Sequence, residues 1–417
     1  MEKKGNHTAA KASTASILSV AMVLFASHAG GGFATGNQEN TYFVCSGWAG
    51  LLSLALSMAI LTGIIAIAMR LYNKYDLHSY KELFKKLYHP FDKLELVFEL
   101  FFYVMVIMAV SVAIAGAASA LGQYFGWNYY VCIVLVGLLV FFATIFGERA
   151  VQLISTYMGT AIMICIFVAY GYGILKAGNV GHLFSVRFQN EGFSELPKAI
   201  WNAFVYAGFQ CVQIPTMLAC GAIFKGKNNN AEGKSMFASF FMNTFGLGMA
   251  VFMLLCWENT FTKTPNGSTL PTLTVLQTMK VNWLLVVYGV ILLLCLVSSA
   301  ITLTFAFVDR FENSKVVDKV PTLFEKRCVL SAFIIILSVV ISLGGLTNII
   351  KYGYGYMGYL AIFLIIIPLL TVGRGPQDSQ RLRFNLNAGL FCSCRFMQKS
   401  SEGTSCLMRF RCFFCFN

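Results

Sequence analysis

The chain has 417 residues, is 57% hydrophobic and only 12% charged, and carries a formal net charge of +13. Its mean hydropathy is +0.69, and its charged fraction is roughly half the ~25% of soluble globular proteins. A soluble surface cannot be coated with so few charges, and Gly and Pro follow no period, so soluble, disordered, collagen-like and disulfide-scaffold classes are excluded.

A ~19-residue hydropathy window predicts about ten apolar stretches able to cross a ~30 Å hydrocarbon core. They lie at 15–37, 47–69, 96–120, 128–147, 150–174, 199–224, 235–257, 281–308, 328–348 and 353–373. The expected fold is an all-α polytopic membrane protein. Its expected organisation is a segment 1–14, a first five-helix half 15–174, an outer loop 175–198, a second half 199–373 and a tail 374–417. If each stretch crosses once, 25 of the 31 Lys and Arg residues fall on one side and six on the other. Because basic residues are retained in the cytoplasm during insertion, both termini are expected there, in a protein of the cell membrane. The positive charge is a topology signal. Aromatics gather in spans and at their ends, as at Trp127, Tyr129, Tyr130 and Trp283, where amphipathic rings favour the interface. No nucleic-acid partner is expected, since such a footprint needs a soluble basic face.

The first span carries the most informative residues. Its apolar run 17–29 has the length of a signal core but no clear cleavage site, so it is expected to be retained. Ser27 and His28 lead into Gly30, Gly31, Gly32, Phe33, Ala34, Thr35, Gly36, Asn37, Gln38 and Glu39. Each interior Gly costs a helix about 1 kcal/mol relative to Ala. Unwound backbone at membrane depth is tolerated only where protein or a polar cavity satisfies it. A nucleotide-loop reading fails because no strand pattern precedes the glycines. His28 is the one histidine inside a span, either a coupling group or a neutral ring donating to a backbone carbonyl. Glu39 follows the break, and Glu99 sits near the basic end of span three.

Farther along, 75–94 reads as a short amphipathic surface helix with Leu83, Phe84 and Leu87 set against Lys81, Lys85 and Lys86. Loops 175–198 and 258–280 are placed to cap an entrance, and Asn266-Gly267-Ser268 is a glycosylation pattern expected to stay unmodified. Span six is interrupted at Tyr206, Ala207, Gly208, Phe209, Gln210, Cys211, Val212, Gln213, Ile214 and Pro215. Paired interruptions at matching places in two halves are the sequence pointer to a transporter's substrate site. An odd number of helices per half makes the repeat inverted. The bland alternative is that the glycines serve close helix packing. The tail is basic and rich in Cys and Phe. It is read as a cytoplasmic extension, a lipid-modified anchor or an out-of-frame end, and is expected to be poorly ordered. Its Cys392, Cys394, Cys406, Cys412 and Cys415 lack zinc-type paired spacing, and the other cysteines fall singly at spans as packing residues.

The run from Gly30 to Glu39 resembles the GAGFASGQE motif of the YkvI-like bacterial membrane proteins, a branch of the amino acid–polyamine–organocation superfamily with the leucine-transporter fold. The likeness in span layout covers 14–373, with Gly31 in place of Ala and Asn37 inserted between Gly36 and Gln38. It implies a 5+5 inverted repeat with broken helices one and six, and a substrate held between the two breaks. Backbone N–H groups of Gly31, Gly32 and Phe33 would meet a carboxylate, and Gly30 and Thr35 belong to the same break. Carbonyls near Ala207, Gly208 and Phe209 would receive an ammonium, with Gln210 beside them. Phe33, Tyr206 and Phe209 would wall an apolar side chain. A sodium ion would lie between carbonyls of Ala26, Ala29 and Gly30 and the hydroxyls of Ser298 and Ser299. The bland alternative for those serines is bonding back to their own helix.

The expected function is therefore secondary active transport of a small, amino-acid-like solute, coupled to Na⁺ or H⁺, with the bilayer as partner and no other cofactor. The alternatives are a passive channel or a non-transporting sensor on the same scaffold. A membrane enzyme is not expected, because His, Asp and Glu are scarce and scattered and no convergent catalytic set is visible.

Overall fold

The computed structural model describes residues 11–28, 31–146, 164–165, 167–178, 180–227, 229–312, 314 and 317–372. Ala29, Gly30, most of the expected fifth span and the tail 374–417 lie outside the described residues. No strand occurs among the described residues. The described part of the first span comprises α1 (Thr14–His28), α2 (Gly31–Thr35) and α3 (Asn37–Tyr42). They are followed by α4 (Ala49–Lys74), α5 (Tyr80–Tyr88), α6 (Glu95–Phe125), α7 (Tyr129–Phe146) and α8 (167–176). Then come α9 (Val180–Glu191), α10 (Leu196–Gln210), α11 (Ile214–Gly221), α12 (Ala231–Phe261), α13 (Pro271–Thr278), α14 (Asn282–Phe311) and α15 (Leu323–Ser342). The last span runs through α16 (Leu346–Asn348), a π segment Ile349–Tyr354, α17 (Gly355–Ala361), a second π segment Ile362–Ile366 and α18 (Ile367–Val372).

Among the described residues, six helical stretches are long and apolar enough to cross a membrane: Ala49–Lys74, Asp92–Phe125, Leu196–Phe224, Ala231–Phe261, Asn282–Phe311 and Leu346–Thr371. Thr14–His28 and Tyr129–Ile145 are shorter apolar helices. The polarity of these helices is inverted relative to a soluble bundle, and α12 shows why. Its stripe of Phe237, Phe241 and Phe245 faces outward, with Phe237 and Phe245 67% and 65% exposed. The opposite stripe, Ser235, Ser239, Asn243, Gly246 and Ala250, is buried. Lipid tails are as apolar as Phe, so nothing drives those rings inside. Helices associate instead through close packing of small residues and through interhelical hydrogen bonds, measured at about 0.6 kcal/mol each on average. Ser53 Oγ donates to Ala199 O at 2.5 Å, joining α4 to α10. Ser342 Oγ donates to Ser111 O at 3.0 Å, joining α15 to α6.

The surface helix expected within 75–94 is α5. Ser79 caps it, its Oγ accepting from Glu82 N–H at 3.3 Å, a contact typically worth about 1 kcal/mol. Leu83, Phe84, Leu87 and Tyr88 are buried, and Lys85 and Lys86 occupy the last turn, where cations suit the helix dipole. The two expected capping loops contain helices of their own, α9 and α13. Pro271 opens α13, where its fixed φ is already helical.

Candidate substrate cavity

Among the described residues the first span bends at Gly36, and span six carries an irregular turn at Cys211–Gln213. Between α2 and α3 the backbone passes through Gly36 at φ +78°, a left-handed conformation that favours glycine. A Cβ at Gly36 would collide with Thr272 Oγ1 of α13. The carbonyls at the end of α2 are taken up by tyrosines. Tyr170 OH donates to Phe33 O at 3.3 Å, and Tyr288 OH donates to Ala34 O. Thr35 Oγ1 donates back to Gly32 O at 2.8 Å. Irregular backbone survives at membrane depth because protein groups replace the missing intrahelical bonds.

In span six the irregularity is a three-ten turn, Cys211–Gln213, and not an unwound stretch at Gly208. Pro215 lacks an N–H and so cannot bond Cys211 O, which places the irregular turn just before α11. Gly208 has another role. A Cβ there would come within 2.5 Å of Gly358 O, so α10 and α17 touch backbone to backbone at these glycines. That is the close-packing role of small residues in membranes.

A cavity of about 850 Å³ lies between the two interrupted spans. At one end it is lined by His28, Gly32, Gln38, Phe209, Gln210 and Tyr354. Along α6 its wall is apolar, with Met105, Val106, Ala109, Val112 and Ala113. Ala26, Cys295, Ser298 and Ser299 also line it. It continues to Tyr80, Tyr103, Asp309 and Arg310 at the end carrying the basic loops.

His28 is buried at the deep end and bonded on both ring nitrogens: Nδ1 to Asn243 Oδ1 at 2.7 Å and Nε2 to Tyr206 OH at 2.8 Å. Asn243 spends its amide N–H on Ser239, on the carbonyl at 2.9 Å and Oγ at 3.0 Å. Its Oδ1 is thereby an acceptor, so His28 Nδ1 carries a proton. Tyr206 OH also lies 3.4 Å from Gln38 Oε1. Two proton inventories fit this chain. With His28 neutral, Tyr206 donates to Nε2; with His28 protonated, Nε2–H donates to the phenol oxygen and Tyr206 donates to Gln38.

The opposite ends of the cavity differ. Beyond Gln38 the α2–α3 bend is tied down. Asn37 Nδ2 donates to Ser268 O at 3.2 Å, Thr269 O at 2.9 Å and Thr347 Oγ1 at 2.9 Å. Tyr42 OH donates to Ile350 O at 2.8 Å. At the basic end, Arg310 Nε donates to Tyr103 OH at 2.7 Å, and its Nη2 donates to Tyr80 OH and to Glu99 Oε1, the latter at 3.0 Å. Lys81 Nζ lies 2.5 Å from the same Glu99 oxygen. Glu99 is thus the anion of a cluster that ties α5, α6 and α14 together.

No protein-family model and no curated protein matches the sequence. Solved structures do. An Eremococcus coleocola manganese transporter, crystallised with an aromatic bis-isothiourea compound, is 15% identical with TM-score 0.55, covering 87% of this chain and 80% of that one. A Na⁺-coupled sialic acid symporter, in a substrate-bound outward-open state, is 13% identical with TM-score 0.56, covering 85% and 78%. MhsT in complex with L-phenylalanine is 14% identical with TM-score 0.56, covering 88% and 91%. The chain has the leucine-transporter fold. At these identities the likeness establishes fold and leaves substrate open.

Within that fold the structure distributes the expected site residues unevenly. Gly32, Phe209 and Gln210 of the expected substrate set line the cavity, as do Ala26, His28, Ser298 and Ser299 of the expected ion set. Gly31 begins α2. Phe33, Thr35, Tyr206 and Ala207 are fully buried behind the lining, and Gly208 packs on Gly358. Ser298 Oγ donates to Cys295 O at 3.1 Å, so in this state it bonds back to its own helix. Ala29 and Gly30 lie outside the described residues. Sequence reasoning passed over Asn243, Gln38 as a lining residue, Tyr354 and the far-end Arg310. A lone mid-span amide, Asn243, was the signal available for the first.

Proposed function

We propose that this protein is a secondary active transporter that moves a small, amino-acid-like solute across the cell membrane by alternating access, coupled to Na⁺ or H⁺. The observation that carries this reading is the cavity of about 850 Å³ bounded by both interrupted helices. That volume falls within the ~300–1,000 Å³ of small-molecule sites. Its lining suits a zwitterion. In this reading the backbone N–H groups at Gly32, beside the first interruption, meet the carboxylate. Gln210 and Gln38 supply polar groups, and Phe209, Met105 and Val106 supply apolar surface. In this proposal the chain follows the 5+5 inverted arrangement of the YkvI-like proteins, with both termini in the cytoplasm. The bonded cap at Asn37 and Tyr42 then closes the outer side, and the Arg310 cluster rims the inner mouth. Ser298 and Ser299, which line the cavity with Ala26, are the proposed sodium-binding hydroxyls.

The test is flux in proteoliposomes with labelled amino acids, polyamines and osmolytes under imposed Na⁺ or H⁺ gradients. Saturable, gradient-driven uptake of at least one solute is expected. No gradient-driven flux or exchange of any of them would sink the proposal. Ser298→Ala combined with Ser299→Ala is expected to abolish any sodium dependence, and unchanged dependence removes the ion role of those hydroxyls.

A further inference from the structure

We propose that Glu39 is a proton-carrying carboxyl, loaded with a proton while buried and emptied when water reaches it. The inference deepens the transporter reading and rests on it. Glu39 lies in α3, the turn and a half of helix that follows the Gly36 bend, and it is completely buried. Neither carboxyl oxygen has a hydrogen-bond partner. Its backbone is spent on the helix, with Phe43 N–H donating to Glu39 O at 3.0 Å.

An ionised carboxylate so completely buried, with no hydrogen-bond partner at either oxygen, costs several kcal/mol. A neutral carboxyl at the same place forgoes far less. A sodium ion is a poorer occupant than a proton, because it needs several converging oxygens whereas a proton needs only the carboxyl itself.

Among the described residues, no cation is bonded to the carboxyl. The elements packed closely on α3 are α2, the three-ten turn Val44–Ser46, α10, α12, α16 and the π segment Ile349–Tyr354. Their titratable or charged groups are Cys45 on the turn, Lys198 and Tyr206 on α10, Lys351, Tyr352 and Tyr354 on the π segment, and Glu232, Lys234, Cys256 and Glu258 toward the ends of α12. Lys351 is exposed, and Lys198 is held by Cys45 O at 2.6 Å and Glu195 at 3.2 Å.

Tyr206 lies at the deep end of the cavity. It is bonded to His28 and close to Gln38, both of which line the cavity, and Gln38 is the residue before Glu39. His28, Tyr206 and Gln38 thus form a hydrogen-bonded row at the cavity's deep end, one residue in sequence from the carboxyl. Coupling follows from the burial. The buried state is reached cheaply only with the proton on, so the proton is taken up on one side and released to water on the other.

The experiment uses the full chain in lipid, with two readouts. Infrared spectroscopy across a pH titration reads the carbonyl stretch of a protonated carboxyl. A band persisting at neutral pH and lost in Glu39→Gln is expected, with Glu39→Asp shifting it if the Gln variant does not fold. Absence of the band at neutral pH in the unmodified chain, or its persistence unchanged in both variants, overturns the proposal. In proteoliposomes, one coupled proton allows up to about tenfold accumulation of a transported amino acid per pH unit of gradient. Glu39→Gln is expected to reduce this to no accumulation, and accumulation equal to that of the unmodified chain overturns the proposal. If no amino acid, polyamine or osmolyte moves under any gradient, the transporter reading fails while the infrared arm still decides whether Glu39 holds the proton.

Discussion

Gly36→Ala should be among the most damaging single-methyl changes in the protein. Two terms add. The native φ of +78° costs a residue with a Cβ roughly 1–2 kcal/mol. The added methyl also meets Thr272 Oγ1 closer than any real contact, with Pro271 Cγ at 3.1 Å and Thr272 N at 3.2 Å behind it. Overpacking of this kind costs about 1–3 kcal/mol, so the expected loss is about 2–5 kcal/mol. The assay is thermal unfolding in detergent micelles followed by tryptophan fluorescence. Thr272→Ala combined with Gly36→Ala removes the hydroxyl in the way. Part of the loss should return, while the left-handed backbone and the Pro271 ring keep the remainder. An unchanged melting temperature for Gly36→Ala, or simple addition of the two losses, would refute the reasoning.

Two further outcomes are expected. Asn243→Leu removes the acceptor of His28 Nδ1–H and leaves a buried donor unpaired, at about 1–3 kcal/mol; thermal unfolding should show the drop, and unchanged stability would mean that another acceptor takes over. Arg310→Gln breaks the cluster with Glu99, Tyr80 and Tyr103 at the basic end of the cavity. Cys295, which lines the cavity, should then react faster with a water-soluble thiol reagent, read by mass spectrometry, and an unaltered rate would show that this cluster does not restrict access.

What was legible in the chain follows from periodic and compositional signals. Apolar stretches long enough to cross lipid, the amphipathic stripe that became α5 and the glycine run at the first break all depend on neighbours in sequence. So does Pro215, whose missing N–H interrupts a helix wherever it lies. Position within an interrupted span was also readable, and it singled out Gly32 and Gln210, whereas the Ser298–Ser299 pair in span eight stood out only through the family resemblance.

Other features depended on which helix faced which. Gly208 read as part of the break, yet its missing side chain serves contact with Gly358, some 150 residues away in the chain. His28 stood out as an intramembrane histidine, but its partners, Asn243 and Tyr206, come from two other spans. Glu39 illustrates the division most sharply. Its sequence position allowed an outward-facing carboxylate, whereas packing of α3 against α10 and α12 buries it with both oxygens unpartnered. Hydropathy and helix-breaking are properties of a local segment, so the sequence by itself determined the membrane class and the two interruptions. Burial and hydrogen-bond partnership belong to pairs of distant segments, and only the tertiary structure decided them.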